Sequence, residues 1–231
     1  MRAIRFVAPI TAGLCWVSAA RAQQTAVVPE PDAPAAPEAP AKDAVPAWET
    51  EDHERRGDFT IGVSAGLGFG ASNGFPNDSK KIGRSEYYTE SGLGFASGSS
   101  IWVGGAFADW MSFGVGMGFS TILTGGTRTQ APAALFHTDV YPLYPLGGAF
   151  RDLGGMFQVG LGFPTTESTD DDAVLIDGAG SSYIFAGAFW EGFSAWKLRM
   201  GPFAGVHYLW SESIRRPAAL IGFRTALFSS P

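Results

Sequence analysis

From Asp58 to Ala71 the chain alternates with a period of two. Phe59, Ile61, Val63, Ala65, Leu67 and Phe69 are apolar, and between them stand Thr60, Gly62, Ser64, Gly66, Gly68 and Gly70. Successive residues of a strand point to opposite faces, so this segment predicts a strand with one greasy face and one face of small residues. A soluble sandwich would bury the greasy face and dress the other with Lys, Glu and Thr. Here the second face is mostly glycine, which suits the crowded inside of a narrow barrel. The pattern recurs: Phe113, Val115, Met117 and Phe119 alternate with glycines, and Phe157, Val159, Leu161 and Phe163 alternate with Gln158, Gly160 and Gly162.

Composition narrows the choice. The chain has 31 Gly, 18 Phe and 7 Trp, and only 16% of its residues are charged, against about 25% in an ordinary soluble domain. After residue 22 no run of apolar residues reaches the length of a spanning helix, about 20 residues. Only helices and closed barrels satisfy the backbone in lipid. The predicted fold is therefore all-β, an eight-stranded antiparallel up-and-down transmembrane β-barrel over residues 58–231. Its strands are expected at about 58–71, 94–108, 111–122, 133–145, 153–164, 178–191, 196–210 and 218–229. The joints 72–93, 123–132, 165–177 and 211–217 read as long or polar, and 109–110, 146–152 and 192–195 as tighter. Long outer loops and short periplasmic turns are the asymmetry of such barrels. An even strand count places both ends of the barrel in the periplasm. Trp110, Trp190 and Trp196 then fall at periplasmic strand ends, with Tyr208 and Trp210 near an outer end, as interfacial girdles require. Packing into a core is the alternative role for these rings.

Residues 1–22 read as a cleaved signal peptide. Arg2 and Arg5 precede the uncharged stretch Phe6 to Ala20, and Ala20-Arg21-Ala22 gives a small-x-small cleavage pattern. Lipidation at Cys15 is disfavoured by the bulky Leu14 before it. Cleavage removes Arg2, Arg5 and Arg21 and no acid, so the net charge moves from −6 to −9. That charge excludes nucleic acid as a partner, because such binding needs Lys and Arg to neutralise phosphates. Cys15 is the single cysteine, so the mature chain can form no disulfide and no thiolate metal site. Residues 23–57 are built from Pro, Ala and acids and predict a disordered, extended periplasmic leader. It is either a spacer or an unimportant tail, with the charged run Glu49 to Arg56 solvated at the barrel rim.

The segment Ala219 to Phe228, with Gly222, Leu227 and Phe228, resembles the terminal strand signal of outer-membrane barrels, although Ser229-Ser230-Pro231 follows the aromatic residue. Taken with the alternation and the even strand count, residues 58–231 resemble the small eight-stranded outer-membrane barrels, the group that includes the OmpA-type transmembrane domain and OmpX. The resemblance implies location in the outer membrane of a Gram-negative cell. It also implies lipids and lipopolysaccharide as partners, the barrel-assembly machinery during biogenesis, and a monomer. It names no activity, because members of the group differ in function.

An eight-stranded barrel is just filled by its side chains, so an open pore is not expected. Alternation places Lys197, Arg199, Phe203 and His207 on the inner face of the seventh strand and Arg224 with Gly222 on that of the eighth. His137, Asp139 and Tyr141 share one face of the fourth. A charge inside the membrane needs a partner, so Asp139 near Arg199 and Arg224 is the expected centre of a lumen network with His137, Lys197 and His207. A plug that fixes the fold is the favoured role, and a gate or proton path the alternative. Barrel lipid A deacylases carry a His and a Ser two apart on one strand face, with a supporting acid. Here Leu209 stands two residues after His207, Ser211 comes four after it, and Glu212 lies on the other face, so no catalytic residue is assigned. Asp170, Asp171 and Asp172 lack the spacing and turn glycine of a calcium loop, and no metal or cofactor is expected. Lys80, Lys81 and Arg84, flanked by Tyr87 and Tyr88, could meet lipopolysaccharide phosphates, or could simply line an exposed loop. The expected function is a non-enzymatic structural or surface-interaction role, with a lipid-modifying enzyme or small-molecule conduit as the alternative.

Overall fold

The computed structural model describes residues 59–178 and 180–229. The expected signal peptide, the leader at 23–57 and the run Glu49 to Arg56 lie outside them. Eight long strands follow one another: β1 (Phe59–Gly70), β2 (Gly94–Ala108), β3 (Met111–Leu123), β4 (Thr127–Val140), β5 (Leu153–Gly162), β6 (Ser181–Trp190), β7 (Leu198–Trp210) and β8 (Ile214–Phe228). Each pairs antiparallel with the next. The ring closes where β8 pairs antiparallel with β1, in unbroken register from Thr60↔Phe228 to Gly70↔Ala218. The result is a closed eight-stranded up-and-down barrel, in which closure leaves no free sheet edge.

The barrel is built inside out relative to a soluble domain. Its wall exposes the greasy residues of the alternation, with Leu67, Phe69, Val115, Phe136, Val159 and Val206 all outward and Met117 and Ile221 67% and 71% exposed. The small face turns inward: Thr60, Gly62, Ser64, Gly66 and Gly70 of β1 are buried. Glycine matters here because it leaves room opposite large inward side chains. A Cβ on Gly62 would overlap the Trp102 indole, one on Gly154 the Phe189 ring, and one on Gly162 the Leu209 side chain. Small residues facing large ones let a lumen this narrow fill almost completely with side chains.

The connections are less regular than the sequence suggests. At the end away from the barrel's two termini, the loops 71–93 and 163–180 are long, but β3–β4 and β7–β8 turn through only Thr124–Gly126 and 211–213. The expected loops at 123–132 and 211–217 are thus mostly strand: β4 begins at Thr127 rather than 133, and β8 at Ile214 rather than 218. At the terminal end, 141–152 is long and carries two 3₁₀ turns, Tyr144–Leu146 and Gly148–Asp152.

β4 and β8 each carry a proline in the stretch expected as a loop, and each sits where its missing N–H costs nothing. Pro132 O accepts from Phe163 N, and Pro217 O accepts from Ala71 N. In an antiparallel strand a residue's N–H and C=O point to the same side. Each proline ring therefore faces a neighbour just past its last paired residue, Gly162 of β5 and Gly70 of β1, where no ladder donor is needed.

The two long loops fold into short ladders over the far mouth. Thr165–Ser168 extends the wall by pairing with Thr127–Gln130 of β4 and returns through Val174–Asp177. Asn73–Gly74 pairs with Ile214 and Arg215 of β8 and with Thr89–Glu90. Ser72 Oγ lies 2.9 Å from Thr166 Oγ1, which lies 2.8 Å from Thr129 Oγ1, so the two loops are tied together across the mouth. Ile176, Thr166, Ser72 and Ile214 beneath this lid are fully or nearly fully buried.

Candidate functional site: the polar lumen

Because the wall faces outward with apolar groups, polar chemistry concentrates in the lumen, in two clusters separated along the barrel axis. The one nearer the termini is centred on Arg224 of β8, which is 0% exposed. Its NH1 and NH2 donate to the two oxygens of Asp139, both at 2.7 Å, in a bidentate pair. Its Nε lies 3.0 Å from Glu191 Oε1, and Tyr141 OH donates to Glu191 Oε2 at 2.8 Å. The guanidinium carbon stands 3.8 Å from the centre of the Phe189 ring and 5.0 Å from that of Trp102. A planar cation is thus held by a bidentate carboxylate, by a second carboxylate close by and by aromatic rings, an arrangement for which Arg is suited and Lys is not.

His137 extends this cluster. Its Nε2 is 3.0 Å from Asp139 Oδ1, its ring stacks on Trp102 at 4.0 Å and 10°, and its Nδ1 is 3.1 Å from Gln158 Nε2. Tyr183 OH donates to Gln158 Oε1 at 3.2 Å, and the Gln158 amide nitrogen faces His137 Nδ1. Gln158 Nε2 also donates to Ser100 Oγ at 3.0 Å, and Ser100 meets Ser64 at 2.8 Å.

The second cluster lies under the lid. Arg216 of β8, also 0% exposed, donates from NH1 to Ser120 Oγ at 2.8 Å and stands 3.4 Å from His207 Nε2. His207 meets the Tyr183 ring edge-on at 6.1 Å. Between the clusters is an internal cavity of about 20 Å³, bordered by Ser64, Ser100, Ser120, Gln158, Tyr183 and His207.

Of the residues singled out from sequence, the structure brings together Asp139, Arg224 and His137, with Tyr141 joining them through Glu191. His207 is inward and buried, but belongs to the Arg216 cluster. Arg199 and Lys197 are corrections. Arg199 stands 3.9 Å from Asp152 at the terminal rim and not beside Asp139, and Lys197 Nζ donates to Ser229 O at 2.6 Å and lies 5.8 Å from the Trp196 ring. Arg199 sits at the terminal end of β7 and Lys197 in the turn just before it, where the inward direction leads to the rim and not to the lumen. Phe203 is buried in the lumen wall. Among the aromatics, Trp110, Trp190 and Trp196 are exposed at the terminal end, and Tyr208 and Trp210 stack outside the far end at 5.4 Å. Ser211 shares a hydrogen bond with Ser213 in the far turn, away from His207. Asp170, Asp171 and Asp172 are exposed, and Asp171 is held below the usual carboxylate range by hydrogen bonds from Ser168 and the Ala173 N–H. No group of three acidic, His or Cys side chains gathers as an ion site among the described residues.

Trp102, Gln158, Glu191 and Arg216 are missing from the sequence-based set. Gln158 shares the inward face with Gly160 and Gly162, and Trp102 occupies the inward parity of β2, so alternation could have found both. Arg216 was hidden by a strand start read as a loop, whereas Glu191 was the last residue of the expected sixth strand and lies just past the end of β6.

No family model matches the chain, and no curated protein matches its sequence. Solved structures with some likeness include Neisserial surface protein A (NspA), 8% identical over 74% of this chain and 96% of that one, with a TM-score of 0.42. A de novo designed transmembrane β-barrel matches 75% of this chain and 99% of its own at 13% identity and a TM-score of 0.31. The translocator domain of the autotransporter NalP from Neisseria meningitidis matches 77% and 91% at 10% identity, with a TM-score of 0.24. At such values the likeness carries no weight for function, and the barrel rests on the strand register described above.

Proposed function

We propose that this chain is a non-enzymatic outer-membrane barrel whose lumen is a closed structural plug and whose work is done at its surface. The observation that carries this reading is the reversal of the usual pattern: a continuous exposed apolar wall surrounds a lumen in which Arg224, Asp139, Glu191, His137 and Gln158 are fully or almost fully buried. An apolar wall of this kind needs lipid around it, and a closed antiparallel barrel fits the outer membrane. In that orientation both barrel ends face the periplasm, Trp110, Trp190 and Trp196 mark the inner interface, and Tyr208 and Trp210 mark the outer one. Outer-membrane lipids and lipopolysaccharide are then the immediate partners. Exposed Lys80 and Arg84 in the 71–93 loop stand on the side where lipid phosphates lie. The barrel-assembly machinery would insert the chain, and closure of the sheet on itself suits a monomer.

The small lumen cavity of about 20 Å³ and the hydroxyl contacts across the far mouth support a closed plug over a conduit. Reconstituted into planar bilayers, the purified barrel should give no steady ion-conducting step in molar salt. Regular, long-lived unitary steps would contradict the plug reading and favour a conduit.

A further inference from the structure

The two lumen clusters differ in charge balance. Both buried carboxylates of the lumen, Asp139 and Glu191, converge on Arg224. Arg216 is buried as completely, yet among the described residues no carboxylate forms an ion pair with it. Its NH1 reaches Ser120 and His207, while Nε and NH2 have no hydrogen-bond partner. The carboxylates of the Arg224 cluster do not serve it: Arg216 and Arg224 are eight residues apart on one strand, which sets their Cα atoms roughly 26 Å apart at 3.3 Å per residue, and neither Asp139 nor Glu191 forms an ion pair with Arg216. Buried charges are paired, and buried donors are satisfied.

We propose that the barrel binds one small inorganic anion, of halide size, beside Arg216 under the far-end lid. Three features define the site. The buried guanidinium, with Nε and NH2 unpartnered, supplies the charge. Ser120 and His207, the side chains that Arg216 NH1 touches, also border the internal cavity, and Tyr183 borders it alongside them. The cavity, at about 20 Å³, holds about one small sphere, which admits a monatomic anion and rejects sulfate or phosphate. The hydroxyl contacts that tie Ser72, Thr166 and Thr129 across the mouth keep bulk water from replacing the anion.

The test uses the full mature chain, folded in detergent micelles. Crystals grown in sodium bromide should show an anomalous bromide peak within hydrogen-bonding reach of Arg216. At fixed ionic strength, replacing gluconate by bromide should raise the melting temperature by about 3–6 °C for each tenfold increase above the dissociation constant. Sulfate should give no such rise. In Arg216→Gln the bromide dependence should vanish. Should that variant fail to fold, the anomalous map of the unmodified barrel decides alone. A map with no bromide at Arg216, melting that ignores the anion, or an undiminished bromide response in Arg216→Gln would each overturn the proposal.

Discussion

Arg224 concentrates the consequences of folding a membrane wall around charged side chains. Its bidentate pair with Asp139 and its contact with Glu191 are fully buried, so removing one partner strands a charge in low dielectric. Asp139→Asn or Arg224→Met alone should destabilise the barrel by about 3–5 kcal/mol, read as a shifted urea midpoint of refolding into micelles. The double variant should lose less than the two single losses added together. Gly62 makes a complementary point, because its missing side chain is the space that the Trp102 indole fills. Gly62→Val should cost about 1–3 kcal/mol or abolish folding through overpacking, while Val63→Leu, on the exposed wall, should change the midpoint by less than about 0.5 kcal/mol. Pairing of Asp139 with Arg224 was legible in the sequence, since alternation puts both inward and buried charges need partners. Arg199 was not placed correctly, because parity gives the direction of a side chain but not its depth, and its depth brings it to Asp152 at the rim.

At the level of strands, the prolines test whether the hydrogen-bond ladder is understood. Pro132→Ala should be nearly neutral, because Pro132 N faces the break where β5 has ended. Ala134→Pro moves the ring two residues along, to a position with the same hydrogen-bonding side that is paired with Leu161 of β5, and should cost about 3 kcal/mol or more. Comparing the yields of heat-resistant folded protein checks both. These strands also show where alternation is an incomplete guide. β1, β2, β3, β5 and β7 were readable to within about two residues, because bulky and glycine residues alternate through them. The start of β4, Thr127 to Pro132, alternates weakly and carries a proline, so it reads as a loop. Its strand state comes from the hairpin with β3 on one side, where Leu123 and Ile122 pair with Arg128 and Thr129, and from Thr165–Ser168, distant in sequence, on the other. The start of β8 was hidden in the same way by Arg215, Arg216 and Pro217, and with it the second lumen cluster.

For the molecule as a whole, closure is what joins these parts. Register between β8 and β1 runs from Thr60↔Phe228 to Gly70↔Ala218, so the greasy face is continuous around the circumference and the polar side chains have only the lumen to enter. That global arrangement follows from a pattern visible in the sequence. The lid does not, since Ser72, Thr166 and Thr129 meet only once the ring has closed. The measurement that tests the account most directly is separation of cell membranes followed by gel electrophoresis of unheated and boiled samples. The chain should fractionate with the outer membrane and migrate at different apparent sizes before and after boiling, as a closed barrel that resists detergent until heated. A band in the soluble periplasmic fraction, with the same mobility in both samples, would contradict the barrel and every assignment of inside and outside that follows from it.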